Sequence, residues 1–324
     1  IVEAVKAEGE VAVRRFAEKF GEITPGASLI YTPMQLREAF DALDVEQKSM
    51  LERTAARIRS FAAAQRESIN EVTVPIPGGE AGHTVAAVEA AGCYAPGGRY
   101  PLPSTVLMTA VTARVAGCER VVVASPKPSV VTLAAAHVAQ ADVLIAIGGA
   151  HAIATLAYGA QKSDGSWLVE PCDAVVGPGN MYVTAAKSLV AGRVAIDMLA
   201  GPSECLVLAD DAASPSVVAA DLLAQAEHDP SAIPALVCLS ESFAAAVDEQ
   251  IASQLKLLST AETASTAIQN NGYAVIVGSV AEGAAICDRL AIEHLELQVE
   301  NASAVAKTLK HCERRTTNEH AHAA

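Results

Sequence analysis

From Gly92 onward the chain repeats one pattern: a short aliphatic run, a turn of small residues, then an Ala-rich stretch. Residues 121–124 are followed by Ser125-Pro126 and a helical pattern through His137. Residues 143–147 lead into Gly148-Gly149 and a pattern through Tyr158. Residues 174–176 lead into Gly177-Pro178-Gly179-Asn180 and a pattern through Ala191. Strands that are apolar at successive positions need cover on both faces, and an intervening helix makes neighbouring strands parallel. The hydrophobic fraction is 51% with only 4% aromatic residues, so the core is aliphatic.

A second series of the same kind begins at Cys205. Residues 205–209 read as a strand, and Ser214-Pro215 as an N-cap with proline at the first position of a helix over 217–228. Residues 235–239 and 273–278 read as strands with a helix over 242–257 between them. Another helix ends at 287–290, and 295–298 reads as the last strand. Before Gly92 the pattern is helical and charged. Over 46–66, Met50, Leu51, Ala55, Ile58 and Phe61 form one apolar stripe. Residues 72–76 read as a strand that turns at Pro77-Gly78-Gly79.

A length of 324 residues suits two domains. The expected fold class is α/β, with two doubly wound Rossmann-like lobes, parallel sheets, and one lobe inserted into the other. The change of pattern at Gly92 and the turn at Gly201 set the expected boundaries: an inserted lobe over 94–202, and a discontinuous lobe with the N-terminal helices over 1–93 plus 203–324.

Charge and cysteine usage exclude whole classes. The balance of 23 basic against 37 acidic residues gives −14, the wrong sign for a phosphate-backbone binder, so no nucleic-acid partner is expected. No apolar run approaches a membrane span. The seven dispersed cysteines form no C-x-x-C pair and read as reduced thiols of a cytoplasmic protein. The chain opens on Ile1 rather than Met, which implies an upstream start.

Several strings could carry chemistry. Gly177-Pro178-Gly179-Asn180 sits between a strand and a helix, where backbone N–H groups and the helix dipole can hold phosphate and Asn180 adds an amide. The same string alone equally fits a tight turn with an N-cap. Pro96-Gly97-Gly98 after Tyr94 is a second such turn. Gln225 and His228 lie three apart on one helix face, so an amide oxygen and an imidazole can converge; alone, the pair also fits a solvated helix end. Glu293-His294 sets a carboxylate beside an imidazole suited to general-base work. Neighbouring strand residues face opposite ways, so both serve one site only at a turn or distortion.

Taken together these strings resemble histidinol dehydrogenase. The resemblance rests on Cys93-Tyr94-Ala95-Pro96-Gly97-Gly98, Ser104-Thr105-Val106-Leu107-Met108, the GPGN turn, Ile196-Asp197-Met198 with Gly201-Pro202-Ser203-Glu204, Gln225-Ala226-Glu227-His228 and Glu293-His294-Leu295, in the family's order. It implies a zinc-dependent, homodimeric enzyme that oxidises L-histidinol to L-histidine through the aldehyde with two NAD. By motif, Gln225 and His228 correspond to zinc ligands that also meet substrate. His294 corresponds to the base, which also meets substrate, and Glu293 to the group that activates water. Tyr94, His151 and Asn180 correspond to NAD contacts, and Ser203 to a substrate contact.

Three departures stand out. His151 replaces the family's usual Gln in its G-G-x-Q-A segment, and Ile292 replaces the usual Pro before Glu-His. The third is the ending: the family's Gly-Asp-Tyr element, whose Asp is a zinc ligand, is missing where the chain runs from His311 to Ala324, with only Glu319 and His322-Ala323 similar to the family's closing run. The expectation is therefore a shortened chain with weak zinc binding and impaired activity. Two other readings remain: a dehydrogenase of another small polar alcohol on the same scaffold, and a non-catalytic remnant of the family.

Overall fold

The computed structural model describes residues 1–97, 101–199, 203–311 and 314–317. It divides into two compact units, Ile1–Ala200 and Gly201–Ala324. The first unit opens with helices α1 (Val2–Glu8) and α2 (Glu10–Lys19), the two-residue strand β1 (Ile30–Tyr31), and helices α3 (Pro33–Asp41) and α4 (Val45–Glu67). A hairpin of β2 (Val72–Ile76) and β3 (Gly79–His83) follows, exposed along its length. The repeat then gives β4 (Ala90–Tyr94), α5 (Pro103–Ala116), β5 (Arg120–Ala124), α6 (Val130–Val138), β6 (Val143–Ile145) and α7 (Gly149–Tyr158). A small hairpin of β7 (Ala160–Gln161) and β8 (Trp167–Val169) precedes β9 (Ala174–Val176), α8 (Met181–Val190) and β10 (Ala195–Ile196).

The strand order is β1-β6-β5-β4-β9-β10, parallel except for β1, which runs antiparallel to β6. The chain starts in the middle at β4, moves outward through β5 and β6, and returns to the other side of β4 with β9. The order therefore reverses between β4 and β9, and crevices that hold ligands form outside the carboxyl ends of strands at such a reversal.

The expected insertion is not found. Residues 1–93 belong with the first sheet, not with 203–324. Ile30 and Tyr31 pair with Ile145 and Leu144, α1 and α2 pack on α7, α3 on α6, and α4 on α5. A sheet buried on both faces needs two helical layers, and the N-terminal helices complete both. Val5, Val13 and Ala17 join Ile153 and Leu156 on one face, while Leu36, Leu51 and Ala55 join Leu107 and Val111 on the other. The stripe of α4 is also rotated from the expected one. Leu51, Ala55 and Ala62 are buried and Ile58 packs beside them, while Met50 and Phe61 are exposed.

The ends of these helices follow local rules. Thr32 and Gln35 form a capping box on α3 with Pro33 at its first turn, and Asp44 Oδ1 accepts the Gln47 N–H at 2.7 Å to start α4.

The second unit contains β11 (Glu204–Ala209), α9 (Pro215–Ala226), β12 (Ile233–Cys238), α10 (Glu241–Gln254), α11 (Ala261–Asn271), β13 (Tyr273–Ile276), α12 (Val280–Leu290), β14 (His294–Gln298), α13 (Ala302–Ala306) and β15 (Arg314–Thr317). All its strand pairs are parallel, in the order β13-β12-β11-β14-β15. Strand β15 extends the sheet past β14, which the sequence reading made its last strand. No helix among the described residues is long and apolar enough to cross a membrane.

Candidate functional site

In the first unit a cleft of about 770 Å³ opens at the carboxyl edge of the sheet. Each wall is the turn that follows a strand: Tyr94 to Gly97 after β4, Ser125 to Ser129 after β5, Gly148 to His151 after β6, and Asn180 with Tyr182 after β9. Phe20 and Glu22 reach the same cleft from the segment after α2. Tyr94, His151 and Asn180, the three expected NAD contacts, are thus brought together. Gly98 lies outside the described residues.

The turn after β9 is held tightly against β4. Gly177 has φ +123°, and a Cβ there would stand 2.0 Å from the Tyr94 carbonyl oxygen, so no other residue fits. Asp197 Oδ2 accepts the Gly177 N–H at 2.8 Å, and the buried Lys187 Nζ donates to the Gly177 carbonyl and to Asp197 Oδ1, both at 2.5 Å. Asp197 belongs to a motif noted in the sequence; its partner Lys187 was not foreseen, because a lysine inside a helical pattern reads as solvated.

The helix starts around the cleft are already occupied by the chain itself. Asn180 Oδ1 accepts from Tyr182 N–H and Val183 N–H, so the side chain expected to aid a phosphate caps its own helix. Ser129 Oγ accepts from Thr132 N–H to cap α6. At α7, the Gly149 N–H donates to Tyr94 Oη at 3.1 Å and the Gly148 N–H to Glu22 Oε1, also at 3.1 Å. Burial pushes the Tyr94 phenol above its ordinary value; the Gly149 N–H opposes that shift and the Glu22 charge adds to it.

His151 is 1% exposed, with Nε2 2.8 Å from Glu22 Oε2 and the rings of Phe16 and Phe20 beside it. Its Nδ1 is buried with no hydrogen-bond partner among the described residues. His151 lines the cleft, but this nitrogen is closed off from it, so the fit to a nucleotide rests on the size of the cleft and on the polar Tyr94, Glu22 and Asn180 groups at its wall. Shape and polarity therefore suit a nucleotide, whereas a bare phosphate cradle is absent from the described turns.

The second unit gathers Ser203, Gln225, His228, Glu293 and His294 at the amino edge of its sheet. Helix α9 leaves the carboxyl end of β11 and returns to the amino end of β12, which carries Gln225 and His228 to that edge. The Ser203 carbonyl accepts the Ile233 N–H at 3.0 Å, and His294 stands opposite Cys205 in register. Gln225 is buried and His228 is exposed just past the helix. Gly201 and Pro202, before Ser203, lie outside the described residues, as do Glu319, His320 and His322.

Glu293 and His294 do serve one side. Ala291 closes α12 in the left-handed region at φ +51°, Ile292 is buried, and Glu293 precedes the strand rather than lying in it. The distortion brings Glu293 Oε1 to 3.3 Å from His294 Nε2. A rigid proline is not needed for this turn; burial of Ile292 fixes it.

Two strand positions further on, Glu296 shares the face of His294. Burial first, then the Asp221 charge and a hydrogen bond with Asp221, push the Glu296 carboxyl up to about 7. Gln298 Nε2 donates to Asp221 Oδ2 at 2.5 Å. This group escaped sequence reading because alternate polar residues on a strand signal a solvated face.

Cys93, Cys172 and Cys205 are buried, and burial pushes each thiol up to about 12, so none is a nucleophile at neutral pH.

Zinc is a poorer match than a nucleotide. Gln225 and His228 supply two neutral donors, and no group of three His, Cys, Asp or Glu side chains among the described residues could hold a metal ion.

The sequence profile of the histidinol dehydrogenase family matches residues 1–314. The chain is 40% identical over 317 residues to histidinol dehydrogenase of Cereibacter sphaeroides, spanning 96% of this chain and 71% of that one. It is 42% identical over 317 residues to that of Parasynechococcus marenigrum, spanning 96% and 70%. The crystal structure of histidinol dehydrogenase from Elizabethkingia anophelis superposes with a TM-score of 0.88 at 29% identity, covering 98% of this chain and 72% of that one.

Proposed function

This chain belongs to the histidinol dehydrogenase family, and on that premise we propose that it oxidises L-histidinol to L-histidine through the aldehyde, with NAD held in the cleft of the first unit. The observation that carries the reading is the Glu293–His294 pair, a carboxylate and an imidazole set side by side by the left-handed Ala291.

NAD, when bound, supplies the hydride acceptor for each oxidation. Tyr94, His151 and Asn180 would meet it in the cleft, with His151 doing so in place of the family's glutamine. His294 takes the proton from the substrate hydroxyl as the carbinol C–H bond gives up its hydride. Glu293 takes a proton from water as that water adds to the aldehyde. His294 returns its proton to the aldehyde oxygen to complete the hydrate. The hydrate then gives up its C–H hydride, and one hydroxyl proton passes to His294, leaving the carboxylic acid, whose own proton goes to solvent. Ser203 would contribute a hydrogen bond to substrate. Holding the aldehyde beside both groups avoids its release between steps.

Gln225 and His228 are two neutral donors of the zinc set that the family implies. The described residues do not complete that set, and no step here depends on it. We further propose a homodimer in the cytoplasm; the reduced, buried cysteines support a reducing compartment.

The test is to incubate the purified chain with L-histidinol and NAD, following reduced nicotinamide by absorbance and histidine by chromatography. Two reduced nicotinamides per histidine is the expected yield. Release of one equivalent with free aldehyde, or none on histidinol but turnover of another alcohol, would overturn the reading.

A further inference from the structure

The cleft of the first unit carries a charge that the proposed chemistry does not use. Glu22 arrives from the segment after α2, not from the sheet, and its side chain is only 10% exposed. The Gly148 N–H donates to its Oε1 at 3.1 Å, and His151 Nε2 lies 2.8 Å from Oε2. Each carboxylate oxygen has more than one acceptor site, so one stays available on each after these contacts. The group also lines the cleft.

Its place along the sheet indicates what it would meet. A dinucleotide crosses a doubly wound sheet at the reversal point, here between β4 and β9, and its adenosine half extends over the strands on one side. Glu22 stands at the end of β6, two strands from β4. At about 4.8 Å per strand this is roughly 10 Å away, within reach of the adenosine half of a dinucleotide laid over the β5 and β6 side of the reversal. Dinucleotide folds that take NAD commonly set a carboxylate against the ribose 2′-hydroxyl, ordinarily from the end of the second strand. Here that position, after β5, carries Ser125-Pro126-Lys127, and the carboxylate comes from Glu22 instead.

Resting on the nucleotide reading of this cleft, we propose that Glu22 reads the adenosine ribose hydroxyl and excludes a 2′-phosphate, making the chain selective for NAD over NADP. Lys127 lines the same cleft and would favour a phosphate, so the two charges compete. Lys127 is exposed, so water and salt screen its ammonium. The Glu22 carboxylate is fixed by two partners and largely removed from water, where a charge acts over a lower effective dielectric. Repulsion from Glu22 therefore outweighs attraction to Lys127. His151 Nε2, 2.8 Å from Glu22 Oε2, helps hold that carboxylate in place.

The test is calorimetric titration of the full chain with NAD and with NADP, without substrate, alongside Glu22→Gln and Glu22→Asp, each checked for fold by circular dichroism. The wild type should bind NAD at least about 30-fold more tightly than NADP, equivalent to about 2 kcal/mol. Glu22→Gln, which keeps the acceptor oxygen but removes the charge, should narrow the ratio to within about 5-fold, mainly by improving NADP. Glu22→Asp, which keeps the charge, should preserve a clear preference for NAD. Wild-type chain that binds both nucleotides equally, or Glu22→Gln that keeps the full preference, overturns the assignment while leaving the nucleotide cleft standing. Failure of the wild type to bind either nucleotide removes the cleft reading and this one with it.

Discussion

Lys187 on α8 and Asp197 after β10 are joined at 2.5 Å, and both also grip the backbone of Gly177, the lysine at its carbonyl and the aspartate at its N–H. One ion pair thus fixes a turn that has little side-chain volume of its own. Lysine is chosen for reach: its stem is buried along α8 while the ammonium meets two oxygens at the strand end.

Replacing Lys187 with Met should keep the packing and leave Asp197 without its counter-charge. The aspartate is partly exposed and keeps the Gly177 and Met198 N–H groups, so the cost should be about 2–3 kcal/mol, below that of a fully buried orphan. Urea denaturation of Lys187→Met, Asp197→Asn and the double variant tests the coupling. The double variant should be less damaged than the sum of the singles by about 1–2 kcal/mol. Strict additivity would show that the pair is not a unit.

Gly177 and Gly165 separate two reasons for glycine. Both have positive φ, but only at Gly177 does a Cβ collide with backbone, whereas nothing lies within 4 Å at Gly165. Gly165→Ala should cost about 1–2 kcal/mol, the left-handed penalty alone. Gly177→Ala should cost about 4 kcal/mol or more, or prevent soluble expression, because β4 and β9 must part. Similar melting temperatures for the two variants would refute the close approach.

The repeat that dictates this fold was legible because buried parallel strands write themselves as continuous aliphatic runs. What covers them was not. The stripe on α4 says that Leu51 and Ala55 face a core, but an amphipathic helix carries no information about which sheet receives it, and the N-terminal helices were assigned to the wrong unit. Strand β1 is two residues long and exists only because Ile30 and Tyr31 find the free edge of β6. The site residues drawn from motifs were collected at two sheet edges as local patterns allowed. Glu22, Lys187 and Glu296 were missed for one shared reason. Each is a charged residue whose significance comes from a partner distant in sequence or on another element: Glu22 with His151, Lys187 with Asp197, and Glu296 with Asp221.

The roles given to Glu293 and His294 predict different losses. His294→Asn should lower histidinol oxidation about 10²–10⁴-fold, the range for losing a positioned base, with the fold intact by circular dichroism. Glu293→Gln should slow aldehyde oxidation far more than alcohol oxidation, because only the second step needs activated water. Steady-state rates on histidinol and on histidinal, each with NAD, give the comparison. Equal losses on both substrates in Glu293→Gln would reduce Glu293 to a support for its neighbour.

Glu296 makes a prediction about pH that is independent of any ligand. Its carboxyl, at an ordinary value of 4.5 when unfolded, rises to about 7 in the folded chain through burial and the nearby Asp221. Between these values the folded state holds more protons than the unfolded state, so stability must fall as pH rises through that window. Below pH 4.5 the group imposes no penalty; above about 7 the penalty is complete. Other carboxyls pull the opposite way: Glu8 is lowered by Arg15, Asp164 by Ser166, and Asp288 by the N–H groups of Lys310 and His311. The total slope is therefore mixed, and only a difference isolates Glu296. Glu296→Gln cannot ionise and can still donate a hydrogen bond to Asp221. Its melting temperature should match the wild type near pH 4.5 and exceed it by about 2–4 °C at pH 8, the shift expected for about 1 kcal/mol from a half-buried group. Melting curves of the two proteins at half-unit pH steps test this. Profiles that stay parallel across the window would mean that Glu296 titrates as an ordinary carboxylate and that Asp221 does not share its proton.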